Sequence, residues 1–281
     1  SGDNVTIRVT GLTGGHSGDK IGTGRPSANS LMGRVLNEIL QECTGSIVYI
    51  KGGSVDNAIA NECEAELITD EYDKIAKLCN SVEKDLRQEY FGIDENISVF
   101  VGLNGKADKK VLDTDSQKRA ITALCLAPQG VIARSGDDNK MVNTSLNLGI
   151  VKLTDDLKMG YSVRSVYESA KNGLTEKLRL LALMLGGTAV CSGNYPAWQY
   201  EPESRVRELA GNVYRKLTGK EPVFKTIHAG LECGLFYNRM NKPDIVSYGP
   251  DIYDIHTFEE RMDIASAKRV YELTVELLRN M

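Results

Sequence analysis

The order of hydrophobic periodicities over roughly the first hundred residues constrains this chain more than any single motif. Residues 5–12 alternate apolar and polar side chains, the period of a half-buried strand. Leu31, Val35, Leu36, Ile39 and Leu40 then recur at helical spacing, after a Pro26 suited to a first helical turn. Residues 46–50 and 63–68 are expected strands, joined by a glycine-rich hairpin-like loop that starts at Gly52-Gly53. Ile75, Leu78, Cys79, Val82 and Leu86 predict a second helix, and residues 97–103 another strand. The order β-α-β-β-α-β is that of the split βαβ, or ferredoxin-like, plait.

A degenerate second copy of this unit follows. It consists of a helix near residues 116–126, strands near 130–134, 145–153 and 157–164, a helix over 170–185 and a strand over 188–192. The two copies share element order and almost no sequence. Gly193-Asn-Tyr-Pro-Ala-Trp198 breaks the pattern and marks a domain boundary. Two domains are therefore expected, 1–193 and 194–281. The second reads as helix (204–217), strand (222–227), helix (231–239), strand (244–248) and a long helix (258–278). This alternation predicts part of an α/β domain with a partly parallel sheet. Thr257 and Glu260 form a capping-box pattern for the last helix.

Composition excludes several classes. Apolar residues make up 41% of the chain and charged residues 26%, enough for a soluble domain with a core. The net charge is −4 and basic residues form no block, which argues against nucleic acid or an anionic membrane as partner. No apolar run approaches the roughly 18–20 residues that span a bilayer, and residues 1–10 do not resemble a signal peptide. The six cysteines include no Cys-x-x-Cys pair, and five suit a reduced core in a cytoplasmic protein. Cys233 stands apart because of its neighbours, Glu232 and Gly234.

The three histidines lie at segment junctions, where rigid scaffolds present functional groups. His16 sits in Gly-Leu-Thr-Gly-Gly-His-Ser-Gly (11–18), where flanking glycines allow a substrate or another chain to come close. His228 ends an expected strand, and Glu232 enters the helix after it. A carboxylate there is favoured by the helix N-terminus and can bind a metal or an ammonium group. His256 follows a Gly-Pro turn just ahead of an expected helix, a place for a metal ligand. Arg164 ends a strand and can grip a carboxylate at two points. Each also has an ordinary reading: a turn histidine, a helix-start glutamate, a surface-loop histidine, a structural strand arginine. The Gly-x-Ser-x-Gly, Walker and His-Glu-x-x-His patterns are absent, which leaves nucleophilic serine and phosphate chemistry without support.

Taken together these motifs resemble a known family. The segment from Gly11 to Ile21 with Gly24-Arg25 and Ala28-Asn29 is similar to the opening of the lid in aminoacyl-histidine (Xaa-His) dipeptidases. The Gly52-Gly53…Asn57-Ala-Ile, Thr144-Ser-Leu-Asn-Leu-Gly149, Arg164-Ser, His228-Ala-Gly-Leu-Glu-Cys-Gly234 and Gly249-Pro…His256 motifs follow in the family's order. The family belongs to two-zinc dipeptidases and carboxypeptidases whose catalytic domain is interrupted by a lid. The resemblance implies an α+β lid over 1–193, able to form a homodimer, and the C-terminal part of a zinc-peptidase catalytic domain over 194–281. It implies that His256 is a zinc ligand, that His16 stabilises the tetrahedral intermediate, and that Arg164 holds the substrate carboxylate. Glu232 falls near the substrate amino terminus, and His228 belongs to the same substrate-binding motif without a separate role. Two local departures are Thr257-Phe258, where the family commonly has Ser-Pro, and Ala60, where it commonly has proline.

The family's His-x-Asp motif, bridging aspartate, Glu-Glu pair and later aspartate precede the lid, and no His-x-Asp occurs in this chain. The expectation is therefore a portion of a cytoplasmic dipeptidase, inactive alone, whose partners are a dipeptide and the missing N-terminal part of the catalytic domain. The alternatives are a related tripeptidase or N-acyl amino-acid hydrolase, and a non-catalytic dimerisation or scaffold module.

Overall fold

The computed structural model describes residues 1–135, 141–198, 200–224, 231–253 and 259–281, which fall into two compact units, residues 1–193 and the residues from 194 onward. The first unit begins with β1 (Gly2–Thr10), β2 (Gly15–His16), α1 (Ala28–Glu42), β3 (Ser46–Gly52), β4 (Ala58–Ile59), β5 (Cys63–Thr69), α2 (Tyr72–Glu89) and β6 (Ser98–Ala107). Leaving aside the two-residue strands β2 and β4, this is the expected β-α-β-β-α-β order. Its strands lie in the order β6-β1-β5-β3, all neighbours antiparallel, so the first strand is central and the last is at the edge.

The chain continues through α3 (Thr114–Leu126), β7 (Gly130–Arg134), β8 (Val142–Leu153), β9 (Leu157–Ser165) and α4 (Glu168–Met184). The C-terminal end of β8 pairs with β3, which joins both halves in one seven-stranded sheet, while its N-terminal end pairs with β7 and its other edge with β9. The second copy lacks the strand expected over 188–192. Those residues are exposed, Val190 by 90%, and pair with no strand among the described residues.

Alternation builds the core. Val5, Ile7 and Val9 of β1, with Ala65 and Leu67 of β5, face Leu36 and Ile39 of α1 and Ile75, Val82 and Leu86 of α2 in one continuous cluster. Ile121 and Leu124 of α3 extend it beneath α1, where Gly33 permits the crossing: a Cβ there would lie 2.7 Å from Leu124 Cβ. The residues between them on the strands point the other way. On that face Arg8 and the Tyr49 hydroxyl both donate to the Glu64 carboxylate and hold it below the usual carboxylate range.

The second unit contains α5 (Arg205–Thr218), α6 (Glu232–Arg239), β10 (Ile252–Tyr253), β11 (Arg261–Met262) and α7 (Ile264–Asn280). The Ser204 hydroxyl caps α5 by accepting from Arg207 N at 3.0 Å, and left-handed Gly219 ends it. Among the described residues the only sheet here is the antiparallel pair β10-β11, so the partly parallel sheet is not found. Residues 222–224 and 244–248 pair with no strand among the described residues; the rest of the expected 222–227 strand lies outside the described residues. The last helix also starts later than the capping-box pattern indicates. Met262 and Arg261 pair with β10, which keeps the backbone extended up to Asp263, and the Asp263 carboxylate caps α7 by accepting from Ser266 N at 3.0 Å. Thr257 and Phe258 lie outside the described residues. No helix among the described residues is long and apolar enough to cross a membrane.

Candidate active site

His16 is carried on β2, which pairs with β4 so that Gly15 faces Ile59 and His16 faces Ala58. The loop leading into it is tied down. The buried Asp94 carboxylate accepts from Thr13 N at 3.0 and 3.1 Å and from Thr13 Oγ1 at 2.9 Å, and Arg25 Nη1 donates to Gly14 O at 2.7 Å. Beyond the histidine, Ser17 N donates to Asn57 O at 2.8 Å and Lys20 N to His16 O at 2.8 Å. The glycines do a different job from the one their positions first indicate. Gly14 and Gly15 adopt φ of +62° and +121°, so they make the turn itself.

The imidazole is exposed, and its Nδ1 accepts from Gly18 N at 3.2 Å. A neutral ring that accepts at Nδ1 carries its proton at Nε2. In that tautomer a loop fixed on both sides carries a ring N–H, the type of group that can stabilise a developing oxyanion.

Arg164 lies on β9 opposite Ser145 of β8. Asn143, Ser145 and Asn147 alternate along β8 on the same side as Arg164, all three buried, which makes a polar strip on an otherwise apolar strand. The Arg164 Nε is buried and has no hydrogen-bond partner. Burial pushes its guanidinium below the usual arginine range, and the negative charge of Asp56 acts against that shift without forming an ion pair. A guanidinium of this kind has the chemistry to bind an anion with planar geometry, such as a carboxylate.

Glu232 is the first residue of α6 and is exposed, with Leu231 at the cap position. Gly234 lets this helix sit against residues 196–198, since a Cβ there would lie 2.8 Å from Pro196 O; Asn238 Nδ2 donates to Ala197 O at 3.2 Å across the same contact. Tyr195 is near enough that burial and the charges of Glu232 and Cys233 raise its hydroxyl above the usual range. Cys233 is a free, half-buried thiol. His228 and His256 lie outside the described residues.

The expected metal has no site among the described residues: nowhere do three His, Cys, Asp or Glu side chains group as a metal requires. Those residues do not by themselves fit a zinc pair.

The sequence reading missed Asp94 and Gln129, and gave no role to Arg25 or Asn147. Thr13 and Asp94 are 81 positions apart, so nothing local signals their bond. Asn147 did leave a trace, as an amide between Leu146 and Leu148 in an apolar strand.

Residues 7–93 match the peptidase dimerisation domain family. Over 282 aligned residues the chain is 33% identical to the cytosol non-specific dipeptidase of Escherichia coli (strain K12), covering 99% of this chain and 58% of that one. It superposes on the crystal structure of aminoacylhistidine dipeptidase from Vibrio alginolyticus with a TM-score of 0.89 at 32% identity, covering 100% of this chain and 58% of that one. The chain thus spans a little over half the length of both relatives. The resemblance read from the motifs runs along the whole chain, and the mixed, mostly antiparallel fold is that of the Vibrio protein over the matched span.

Proposed function

We propose that this chain belongs to a metal-dependent dipeptidase, in which it forms a lid (1–193) and the part of the catalytic domain that follows (194–281). The observation that carries this reading is Arg164, a half-buried guanidinium whose Nε has no partner. A dipeptidase must recognise a free carboxylate one residue beyond the scissile bond, and this side chain suits that task. His16 donates from Nε2 to the oxygen that becomes negative as the carbonyl is attacked. Glu232, exposed at a helix start, faces the substrate ammonium group, with His228 in the same binding motif. The substrates are dipeptides, Xaa-His among them. Zinc enters through the resemblance alone, with His256 as its ligand in this chain. The same resemblance supports a cytoplasmic location, a homodimer formed through the lid, and no turnover by the 281-residue chain on its own.

The test is Arg164→Lys in the whole protein, assayed on free-acid and C-terminally amidated dipeptides. Lysine keeps the charge and loses the two-point grip. The expected loss on free acids is about 1.5–3 kcal/mol in kcat/KM, and it shrinks on amides. Equal losses on both substrates would assign Arg164 to holding the strand. Turnover of about 1 per second or faster by the 281-residue chain with zinc would overturn the division of the site.

A further inference from the structure

We infer that Asn147 is a positioning residue that locks the strand carrying His16 to the strand carrying Arg164; this rests on the reading of those two side chains given above. Asn147 is 1% exposed, between two leucines that face the core. An amide placed there is costly unless its hydrogen bonds are made. They are: Nδ2 donates to Asp56 O at 2.8 Å and to Ala58 O at 2.7 Å, while Oδ1 accepts from Gln129 Nε2 at 3.2 Å. Gln129 is fixed in turn, its Oε1 accepting from Leu148 N at 2.5 Å.

The carbonyls that Asn147 holds lie two residues apart, one in the turn at Asp56 and the other at Ala58, where β4 begins. The carbonyl between them, Asn57 O, turns the other way and accepts from Ser17 N, and Ala58 is the residue that faces His16 in the β2-β4 pair. One segment is thus fastened on one side by Asn147 and on the other by the His16 loop. Across β8, Asn147 faces Ser162, two residues before Arg164 on β9. The glycines of the two motifs serve the same junction. Gly53 has φ of +64°, and a Cβ on it would lie 1.8 Å from Gly149 O; a Cβ on Gly149 would lie 2.4 Å from Val55 O. The Gly52-Gly53…Asn57 and Thr144…Gly149 motifs are therefore two sides of one contact. Bridging two carbonyls takes two N–H donors on one planar group; an aspartate has none and a serine has a single O–H.

The experiment uses Asn147→Asp and Asn147→Ser in the whole protein, each alone and combined with His16→Ala. The serine variant covers the case in which a carboxylate against two carbonyls prevents folding. The expected result is a kcat loss on the order of 10–100-fold with little change in KM, since small misplacements of reacting groups cost that much. Combined with His16→Ala, the further loss falls to about threefold or less, because the group being positioned is gone. Hydrogen exchange should rise in peptides covering 14–18 and 54–60 and stay unchanged in 5–9, the core strand. Losses that multiply in the double variant, or exchange that rises equally in 5–9, would reduce Asn147 to a general stabiliser and overturn the inference. A wild-type kcat for His16→Ala alone would instead remove the proposed role of His16, and exchange at 14–18 would then decide the case for Asn147.

Discussion

The two halves of this chain bury their apolar side chains very differently. In the first unit one cluster runs continuously through β1, β3, β5, β6, β8 and three helices. In the second, the cluster among the described residues consists of Ala210, Val213 and Leu277, with Leu209, Val246 and Leu273 packed on it. Large side chains there stay in water, Ile264 at 82% and Leu278 at 67% exposure among them. Burial of apolar surface is the main favourable term in folding, so the first unit holds most of the stabilisation seen here. It also holds His16 and Arg164, on elements fixed by buried hydrogen bonds. A candidate site that must keep its geometry has its scaffold in the well-packed half, while Glu232 projects from the thinly packed one.

The sharpest way to break this comparison is His16→Ala in the whole protein. The loop keeps the hydrogen bonds of Thr13, Gly14 and Ser17 when the imidazole is removed, so folding should be spared. The expected kcat loss is about 100–1000-fold, or roughly 3–4 kcal/mol, with an unchanged melting temperature. A wild-type kcat would return His16 to an ordinary turn residue.

The next largest effect concerns the cores directly. Leu36→Ala, at a fully buried position in α1, should cost about 3 kcal/mol in denaturant unfolding. The same truncation at Leu277 in α7 should cost clearly less, roughly 1–2 kcal/mol, because a small cluster can relax into the space. Equal costs would show that the second unit is as well packed as the first.

The smallest effect tests a cap in the second unit. The Asp244 carboxylate accepts from Ser204 Oγ at 2.5 Å and from Val206 N at 2.8 Å at the start of α5. Burial alone would raise it, but these bonds outweigh burial and leave it below the usual aspartate value of 3.8. A depressed folded value means that the stabilisation is present above the unfolded value and is lost as pH falls through the folded one. Asp244→Asn should therefore cost about 1 kcal/mol at neutral pH, discounted for exposure. The difference from wild type should shrink progressively below about pH 4. A penalty that does not change with pH would show that the bonds, rather than the charge, hold the helix.

Much of the first unit was legible in sequence, and less of the second. Alternating Val5, Ile7 and Val9 and the helical spacing of Ile75, Cys79, Val82 and Leu86 are local signals, and they gave the right elements within a few residues. The expected strands over 188–192 and 244–248 pair with no strand among the described residues, and a strand exists only as part of a ladder. The start of α7 was misplaced for a related reason, since the β10-β11 pair ahead of it is a contact between segments.

The sequence by itself determined the element order of the β-α-β-β-α-β plait that opens the first unit and the residue types gathered at its junctions, because periodicity and turn chemistry act over a few residues. Only the tertiary structure decided what those junctions do. Asn147 meets the carbonyls of Asp56 and Ala58 from 91 and 89 positions away, and Asp94 meets Thr13 from 81. Hydrogen bonds between such distant groups leave no period in the sequence; they exist because a buried amide or carboxylate must find partners wherever the fold has brought them.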